Sequence, residues 1–305
     1  MRRDLVQNLM LSAGTILVLL IGAESIARLV GFRWSATPLL GPATCTDRSP
    51  ELGIVLRPSC HGELAGTTFT TNAAGLRGPE LREDRSRRIL AIGDSCTWGY
   101  RVADAESYPA VLNARLDALQ PGRYQVLNAG VPGHTSYQGL VYLRGHGLRW
   151  RPAIVIAGYG FNDMAPSGDL AVQLRRIRRL GRVADVDNWF LVHSRVYQWT
   201  RFVTYPVNGR GQAPRVSLQR YEQNLRKIVA LSRAHGAMPV LLSFWIGKPV
   251  PYATVPERVA RALDVPLVHF DGPHMDIVHP SREGYVRLAD DLVAALTARS
   301  AFVAR

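Results

Sequence analysis

Arg88-Ile89-Leu90-Ala91-Ile92-Gly93-Asp94-Ser95-Cys96-Thr97-Trp98-Gly99 is the stretch from which the rest of the chain is read. Ile89 to Ile92 is a strand-length apolar run without polar interruption. Such a run suits a strand buried on both faces, as in a parallel sheet. Gly93 and Gly99 bracket the polar residues that follow and let the backbone bend and approach a ligand. Ser95 is therefore expected on a sharp turn from strand into helix, exposed at the sheet edge. By itself a Gly-Asp-Ser is a short motif of low specificity.

The same rhythm runs on toward the C-terminus. Tyr108 to Leu119 has helical spacing, with Leu112, Leu116 and Leu119 on one side. Tyr124 to Asn128 reads as a second strand, Ser136 to Trp150 as a helix, and Ala153 to Ala157 as a third strand. Ser217 to His235 is a strongly amphipathic helix, followed by a fourth strand over Met238 to Phe244. A short helix over Pro256 to Leu263 precedes a fifth strand, Leu267 to Phe270. A last helix covers Ser281 to Ala298, with Ser281 placed to cap it. Strands alternating with helices predict a three-layer α/β/α sandwich around a five-stranded parallel sheet, doubly wound and flavodoxin-like. Such sheets bind ligands at the carboxyl ends of their strands.

Chemistry-bearing residues recur at those ends. After the last strand comes Asp276-Ile277-Val278-His279-Pro280. A serine hydroxyl needs a neutral imidazole to take its proton, and the imidazole needs a carboxylate to hold its tautomer. Asp276 and His279, three apart in one loop, can both be presented to Ser95. Asp271 and His274 form a second Asp-x-x-His. Pro280 and the capped helix directly follow the first pair, an arrangement that decides between the two only through the resemblance given below. The second strand is followed by Asn128-Ala129-Gly130-Val131-Pro132-Gly133, and the third by Gly158-Tyr159-Gly160-Phe161-Asn162-Asp163. Acyl transfer needs donors aimed at a developing oxyanion. The Ser95 N–H, the Gly130 N–H and the Asn162 side-chain amide are the candidates. His134, just after Gly130, reads as an ordinary loop histidine, with a pocket-lining residue as the alternative.

These four segments, in this order and each after its own strand, closely resemble the SGNH hydrolases, also called the GDSL esterase family. The family's four blocks centre on Ser, Gly, Asn and His, matched here by Ser95, Gly130, Asn162 and His279, with Asp276 three before the histidine. The resemblance covers about Arg88 to Ala298. It implies ester hydrolysis through an acyl-enzyme, with Ser95, Asp276 and His279 catalytic and an oxyanion hole from Ser95, Gly130 and Asn162. Cys96 departs from the leucine of the family name; a small apolar side chain packs equally well there. The stretch Asn72 to Glu80 looks like a segment found in membrane-anchored bacterial members. An O-acyltransferase with the same triad, or a non-catalytic envelope-binding module on a hydrolase fold, are the rival functions. A plausible substrate is an acyl ester on an envelope glycan or lipid. No metal or organic cofactor is implied.

The N-terminus adds a second theme. Arg2 and Arg3 precede a nearly unbroken apolar run, and Leu9 to Phe32 is long enough to cross ~30 Å of hydrocarbon as a helix. Glu24 and Arg28, four apart, can pair on one helical face. The competing reading is a cleaved signal peptide, with Ile21-Gly22-Ala23 before the cut and the chain secreted. Ile26 to Val30 continues the apolar run and favours an uncleaved anchor. Arg2 and Arg3 place the N-terminus in the cytoplasm and the bulk of the chain outside, against which Arg28 and Arg33 count. The expected organisation is an anchor over 1–34, a β-rich lead-in or loose linker over 35–87, and a hydrolase domain over 88–305.

An insertion interrupts that domain at about 174–205. It holds a basic cluster (Arg175, Arg176, Arg178, Arg179, Arg182) and an aromatic-apolar run (Trp189, Phe190, Leu191, Val192, Tyr197, Trp199, Phe202). Two readings stand: a lid or membrane-facing surface, or a packed helical excursion with solvated arginines.

Composition sets outer bounds. With 47% apolar and 20% charged residues in 305, wholesale disorder is excluded. The net charge of +13 is almost all arginine. Those arginines are spread along the chain with no nucleic-acid motif, so nucleic acid is not an expected partner. Of three cysteines, Cys45 and Cys60 lie beyond the apolar N-terminus. They can bridge if that region is extracytoplasmic or remain two thiols.

Overall fold

The computed structural model describes residues 2–32, 45–83, 87–166, 168–171, 193–204, 213–244 and 250–299, with 174, 175, 179, 186, 189 and 190. Arg176, Arg178, Arg182, Leu191 and Val192 of the expected insertion lie outside the described residues, as do 33–34 of the expected anchor and 35–44 and 84–86 of the lead-in. The chain divides into two compact units. One is Met1–Pro42 with Ile177–Arg210; the other is Ala43–Arg176 with Gly211–Arg305.

The larger unit is built on five parallel strands: β5 (Arg87–Gly93), β6 (Tyr124–Gly130), β7 (Ile154–Gly158), β8 (Met238–Ser243) and β9 (Leu267–His269). They lie in the order β6-β5-β7-β8-β9. The first strand of the series is therefore interior, and the chain winds out from it in both directions. The switch point lies at the carboxyl end of β5, where this class of sheet binds ligands. Ile89 to Ile92 and Ile154 to Ala157 are essentially inaccessible to solvent. This is why their sequences carry no polar alternation. Helices α3 (Tyr108–Leu119), α4 (Ser136–Gly145), α7 (Leu218–Ala234), α8 (Val255–Leu263) and α9 (Arg282–Ala298) accompany the sheet. Ser281 caps α9 by accepting from Gly284 N at 3.2 Å.

One expected helix is shorter than its sequence pattern. The run over Ser136 to Trp150 breaks at His146 and resumes as a 3₁₀ turn over Gly147–Trp150. Gly145 and Gly147 are poor helix formers. A Cβ at Gly147 would stand 2.8 Å from Leu90 Cδ2, so the backbone there packs directly on the Leu90 side chain of β5.

Before β5, two small hairpins form the described lead-in: β1 (Thr46–Ser49) with β2 (Gly53–Leu56), and β3 (Cys60–Leu64) with β4 (Thr67–Thr71). Cys45 and Cys60 are joined by a disulfide. Ile54, Leu56 and Phe69 share a small core with Trp98 and Val131, which flank the carboxyl ends of β5 and β6. Arg77 fastens this arrangement. Its side chain is 1% exposed. It donates to Asp104 Oδ1 at 2.7 Å, to the carbonyls of Trp98 and Gly99 at 2.8 and 2.6 Å, and to Val102 O at 2.6 Å. The guanidinium also lies 4.0 Å from the Trp98 ring. One cation thereby satisfies the carbonyls leaving the turn that carries Ser95. Arg77→Met strands those acceptors and Asp104, and is expected to cost about 3–5 kcal/mol in denaturant unfolding. Arg77→Lys lacks the planar fork and does not restore it. A loss under about 1 kcal/mol for Arg77→Met would contradict this role.

The smaller unit holds α1 (Arg2–Leu29) and α6 (Arg195–Thr204). Helix α1 is long and apolar enough to cross a membrane, and the apolar side chains from Leu5 to Ile21 are exposed.

Candidate active site

Ser95 opens α2 (Ser95–Trp98), a single turn directly after β5. Asp94 caps that turn: its Oδ1 accepts from Cys96 N at 2.9 Å. The Ser95 N–H lies in the first turn, where no intrahelical acceptor exists, and points out of the helix end.

The histidine loop arrives from the far end of the chain. Ser95 Oγ lies 2.8 Å from His279 Nε2, and His279 Nδ1 lies 2.7 Å from Asp276 Oδ2. A neutral ring with its proton on Nδ1 donates to Asp276 and leaves Nε2 to accept from the Ser95 hydroxyl. Asp276 Oδ1 accepts from the backbone N–H groups of Val278 and His279, at 3.0 and 2.8 Å. Burial works to raise the Asp276 pKa. The hydrogen bonds from the His279 backbone and ring and from Val278 outweigh it and hold the carboxyl below its ordinary value. Asp276 is thus kept as the anion an imidazolium needs beside it. The loop is pinned by Met275 N to His279 O at 2.9 Å and Ser281 N to Pro273 O at 2.9 Å. The Tyr100 ring stacks on His279 with centroids 4.3 Å apart. In the second Asp-x-x-His, Asp271 accepts from Arg287 at 3.0 Å, and the His274 ring packs against Phe270.

Asn162 sits in α5 (Phe161–Met164), the short helix after β7. Its Nδ2 donates to Asp94 Oδ2 at 3.1 Å, which joins the third segment to the first one residue from Ser95. Asp94 thus serves two segments, from full burial that pushes its pKa up while Cys96 N, His279 and Asn162 pull it down. An amide carries two hydrogens, so Asn162 keeps one for another acceptor.

Gly130 corrects an expectation. Its N–H donates to Asn128 Oδ1 at 3.0 Å, inside the buried end of β6. It is not open to a developing oxyanion. Gly130 instead meets the turn that carries Ser95 backbone to backbone, since a Cβ there would lie 2.3 Å from Trp98 N. Gly133, in the same loop with φ +82°, donates its N–H to no acceptor among the described residues. Cys96 is free, fully buried and in contact with Val278 O, and burial pushes its thiol pKa well up. This is a packing residue.

Sequence reasoning passed over three residues. Asp94 was legible as an N-cap residue before a helix-opening serine. Tyr100 left no signal in the sequence. Asp163 is buried and accepts from the Ser136 N–H and hydroxyl, and Asn224 Nδ2 donates to Ser136 Oγ at 2.9 Å. This network ties the loop after β6 to the loop after β7.

Two buried groups in these loops titrate with opposite signs. Burial raises Asp163 from its ordinary 3.8 to about 7 against its hydrogen bonds from Ser136. The folded state therefore holds a proton the unfolded chain gives up, and this stability is lost as pH rises toward 7. Burial lowers His134 from its ordinary 6.5 to about 4, against its contact with Ile54 O. The unfolded chain binds a proton the folded state refuses, so that stability is lost as pH falls below 6.5. Relative to the parent, Asp163→Asn should gain melting temperature as pH rises from about 4 to 7, and His134→Gln should lose it from about 4 to 6.5. Differences with the same sign in both variants would contradict the assignment.

Among the described residues, no cluster of three or more His, Cys, Asp or Glu is arranged to hold a metal ion. The family model of GDSL-like lipases and acylhydrolases matches residues 91–287. The chain is 25% identical over 219 residues to thioesterase 1/protease 1/lysophospholipase L1 of Escherichia coli, covering 66% of this chain and 79% of that one. Among solved structures, a lipase/acylhydrolase from Enterococcus faecalis superposes with TM-score 0.47 at 19% identity, covering 70% of this chain and 96% of its own. A catalytic mutant of an acetylxylan esterase from Geobacillus stearothermophilus gives 0.47 at 17%, covering 71% and 96%.

Proposed function

Because the chain belongs to the GDSL-like lipase/acylhydrolase family, whose members hydrolyse ester bonds, we propose that it is a membrane-anchored serine esterase using Ser95, His279 and Asp276. The observation that carries this reading is the unbroken chain of contacts from the Ser95 hydroxyl through the His279 ring to the Asp276 carboxylate. Ser95 Oγ attacks the ester carbonyl as its proton passes to His279 Nε2, and Asp276 stabilises the imidazolium. The tetrahedral oxyanion is met by the Ser95 N–H and the free Asn162 amide hydrogen. The Gly133 N–H replaces that of Gly130, which is already committed. Collapse breaks the ester C–O bond, and His279 returns the proton to the departing alcohol. Water then adds to the acyl-enzyme, with His279 as base, and a carboxylic acid leaves.

The organisation that fits is an anchor over 1–34, a lead-in over 35–87 that braces the nucleophile turn, and a hydrolase domain over 88–305 with an insertion at about 174–205. Helix α1 remains in the mature chain and holds the catalytic domain on the extracytoplasmic side. The Cys45–Cys60 disulfide supports that placement, since such bridges persist in oxidising compartments. The E. coli relative is named for thioesters and lysophospholipids, in keeping with an acyl substrate. O-acyl groups on envelope glycans or lipids are the substrate class this location offers.

The test is product stoichiometry. Full-length protein in detergent, given an acetylated glycan, should release acetate and free hydroxyl in equal amounts without any acceptor. Acetyl transfer that requires a second glycan would overturn hydrolysis.

A further inference from the structure

Glu24 belongs to the apolar N-terminal helix, yet its carboxylate is used by a segment about 170 residues away in sequence. Ser194 Oγ donates to Glu24 Oε2 at 2.9 Å, Arg195 N to Oε1 at 2.9 Å, and Val196 N to Oε2 at 3.0 Å. Ser194 Oγ in turn accepts from Tyr197 N at 3.1 Å. The first N–H groups of α6, which no helix can satisfy internally, are met by Glu24 and Ser194 together. Arg28 completes the junction, donating to Glu24 Oε1 at 2.8 Å and to His193 O at 2.7 Å. A carboxylate held this way fixes where α6 begins relative to α1.

That position has a depth. Leu5 to Ala23 contains no charged residue. Nineteen helical residues rise about 28 Å, close to the ~30 Å hydrocarbon thickness of a bilayer. Glu24 is the first charge after that span, so it stands at the boundary between acyl chains and headgroups, and α6 starts at the same level. Around this start lie large apolar side chains that the protein leaves uncovered. Trp189 is 56% exposed, Trp199 54% and Val203 55%. Trp199 and Val203 are four apart and share one helical face. Trp189 packs edge-on against Phe190 and stacks on His193, so these three rings form one cluster. Tryptophan favours the membrane interface, where an apolar body and a polar N–H are both accommodated.

We infer that the insertion is a second membrane-contact element: α6 lies at the headgroup–acyl boundary of the bilayer that α1 spans, latched there by Glu24, with Trp189, Trp199 and Val203 in lipid. This rests on α1 being an uncleaved anchor. Peripheral contact of this kind fixes a rotation about the anchor as well as a distance from the surface.

The experiment uses full-length protein in phosphatidylcholine–phosphatidylglycerol vesicles. Single cysteines, Trp199→Cys and Leu17→Cys, carry an environment-sensitive fluorophore; the parent, with Cys96 buried and Cys45 bridged to Cys60, gives the labelling background. The Leu17 label should be quenched by a deep lipid nitroxide. The Trp199 label should be quenched about three-fold more by a shallow lipid nitroxide than by aqueous iodide. In Glu24→Ala that preference should fall to about parity. A Leu17 label open to iodide would defeat the anchor on which the inference stands. A deep Leu17 label with an iodide-accessible Trp199 label would overturn the inference alone. An unchanged Trp199 preference in Glu24→Ala would overturn the latch.

Discussion

Ser95→Ala lowers kcat/KM for an activated acetyl ester by roughly four to six orders of magnitude, with little change in melting temperature. Among the described residues, the hydroxyl is the only group placed both on the turn after β5 and against His279 Nε2. Removing it deletes the acyl-enzyme route and leaves only positioning and oxyanion donors. One half-buried hydrogen bond is lost, worth about 1 kcal/mol, so the fold survives. His279→Ala should cost nearly as much, and the double variant barely more than either single one, because the two residues act as one unit. Losses that simply multiply would mean the residues act separately.

Gly130→Ala is expected to lower activity by roughly 100-fold or more and stability by about 1–3 kcal/mol. The added Cβ would lie 2.3 Å from Trp98 N and 2.8 Å from both Thr97 C and Trp98 Cα. These are backbone atoms of the nucleophile turn and cannot rotate away. The end of β6 or the turn must move, and a shift near 1 Å at Ser95 spoils its alignment with His279. The substitution keeps the Gly130 N–H, so it separates two roles. A glycine needed only as a hydrogen-bond donor would tolerate alanine, whereas a glycine needed for close approach does not. Near-parent kcat/KM and melting temperature would contradict the packing role.

The legible and illegible parts of this molecule divide along a physical line. Ile89 to Ile92 and Ile154 to Ala157 announce buried strands because burial on both faces removes polar residues from a continuous run. Leu218–Ala234 announces a helix because one face is solvated. Ser95, Asp276 and His279 stand out because they follow strands whose ends meet at one rim. Contacts between segments are different. Whether the Gly130 N–H is free depends on the side chain of Asn128 two residues earlier. That Asp94 serves both the Cys96 N–H and the Asn162 amide depends on how the loops after β5 and β7 approach each other. Arg77 was one arginine among many until the turn it clamps was in view. The break at His146 came from Gly147 pressing on Leu90, a contact no helical periodicity contains. Glu24 read as an i,i+4 partner of Arg28, which it is. Its use by Ser194 to Val196 could not be seen from either segment.

In the proposed mechanism the Ser95 hydroxyl, made reactive by His279, is the nucleophile. The most direct test is covalent capture with a fluorophosphonate probe, digestion, and mass mapping of the modified residue. A single adduct on Ser95 that disappears in His279→Ala is the expected result. An adduct on any other residue, or equal labelling of Ser95 with and without the imidazole, would contradict it.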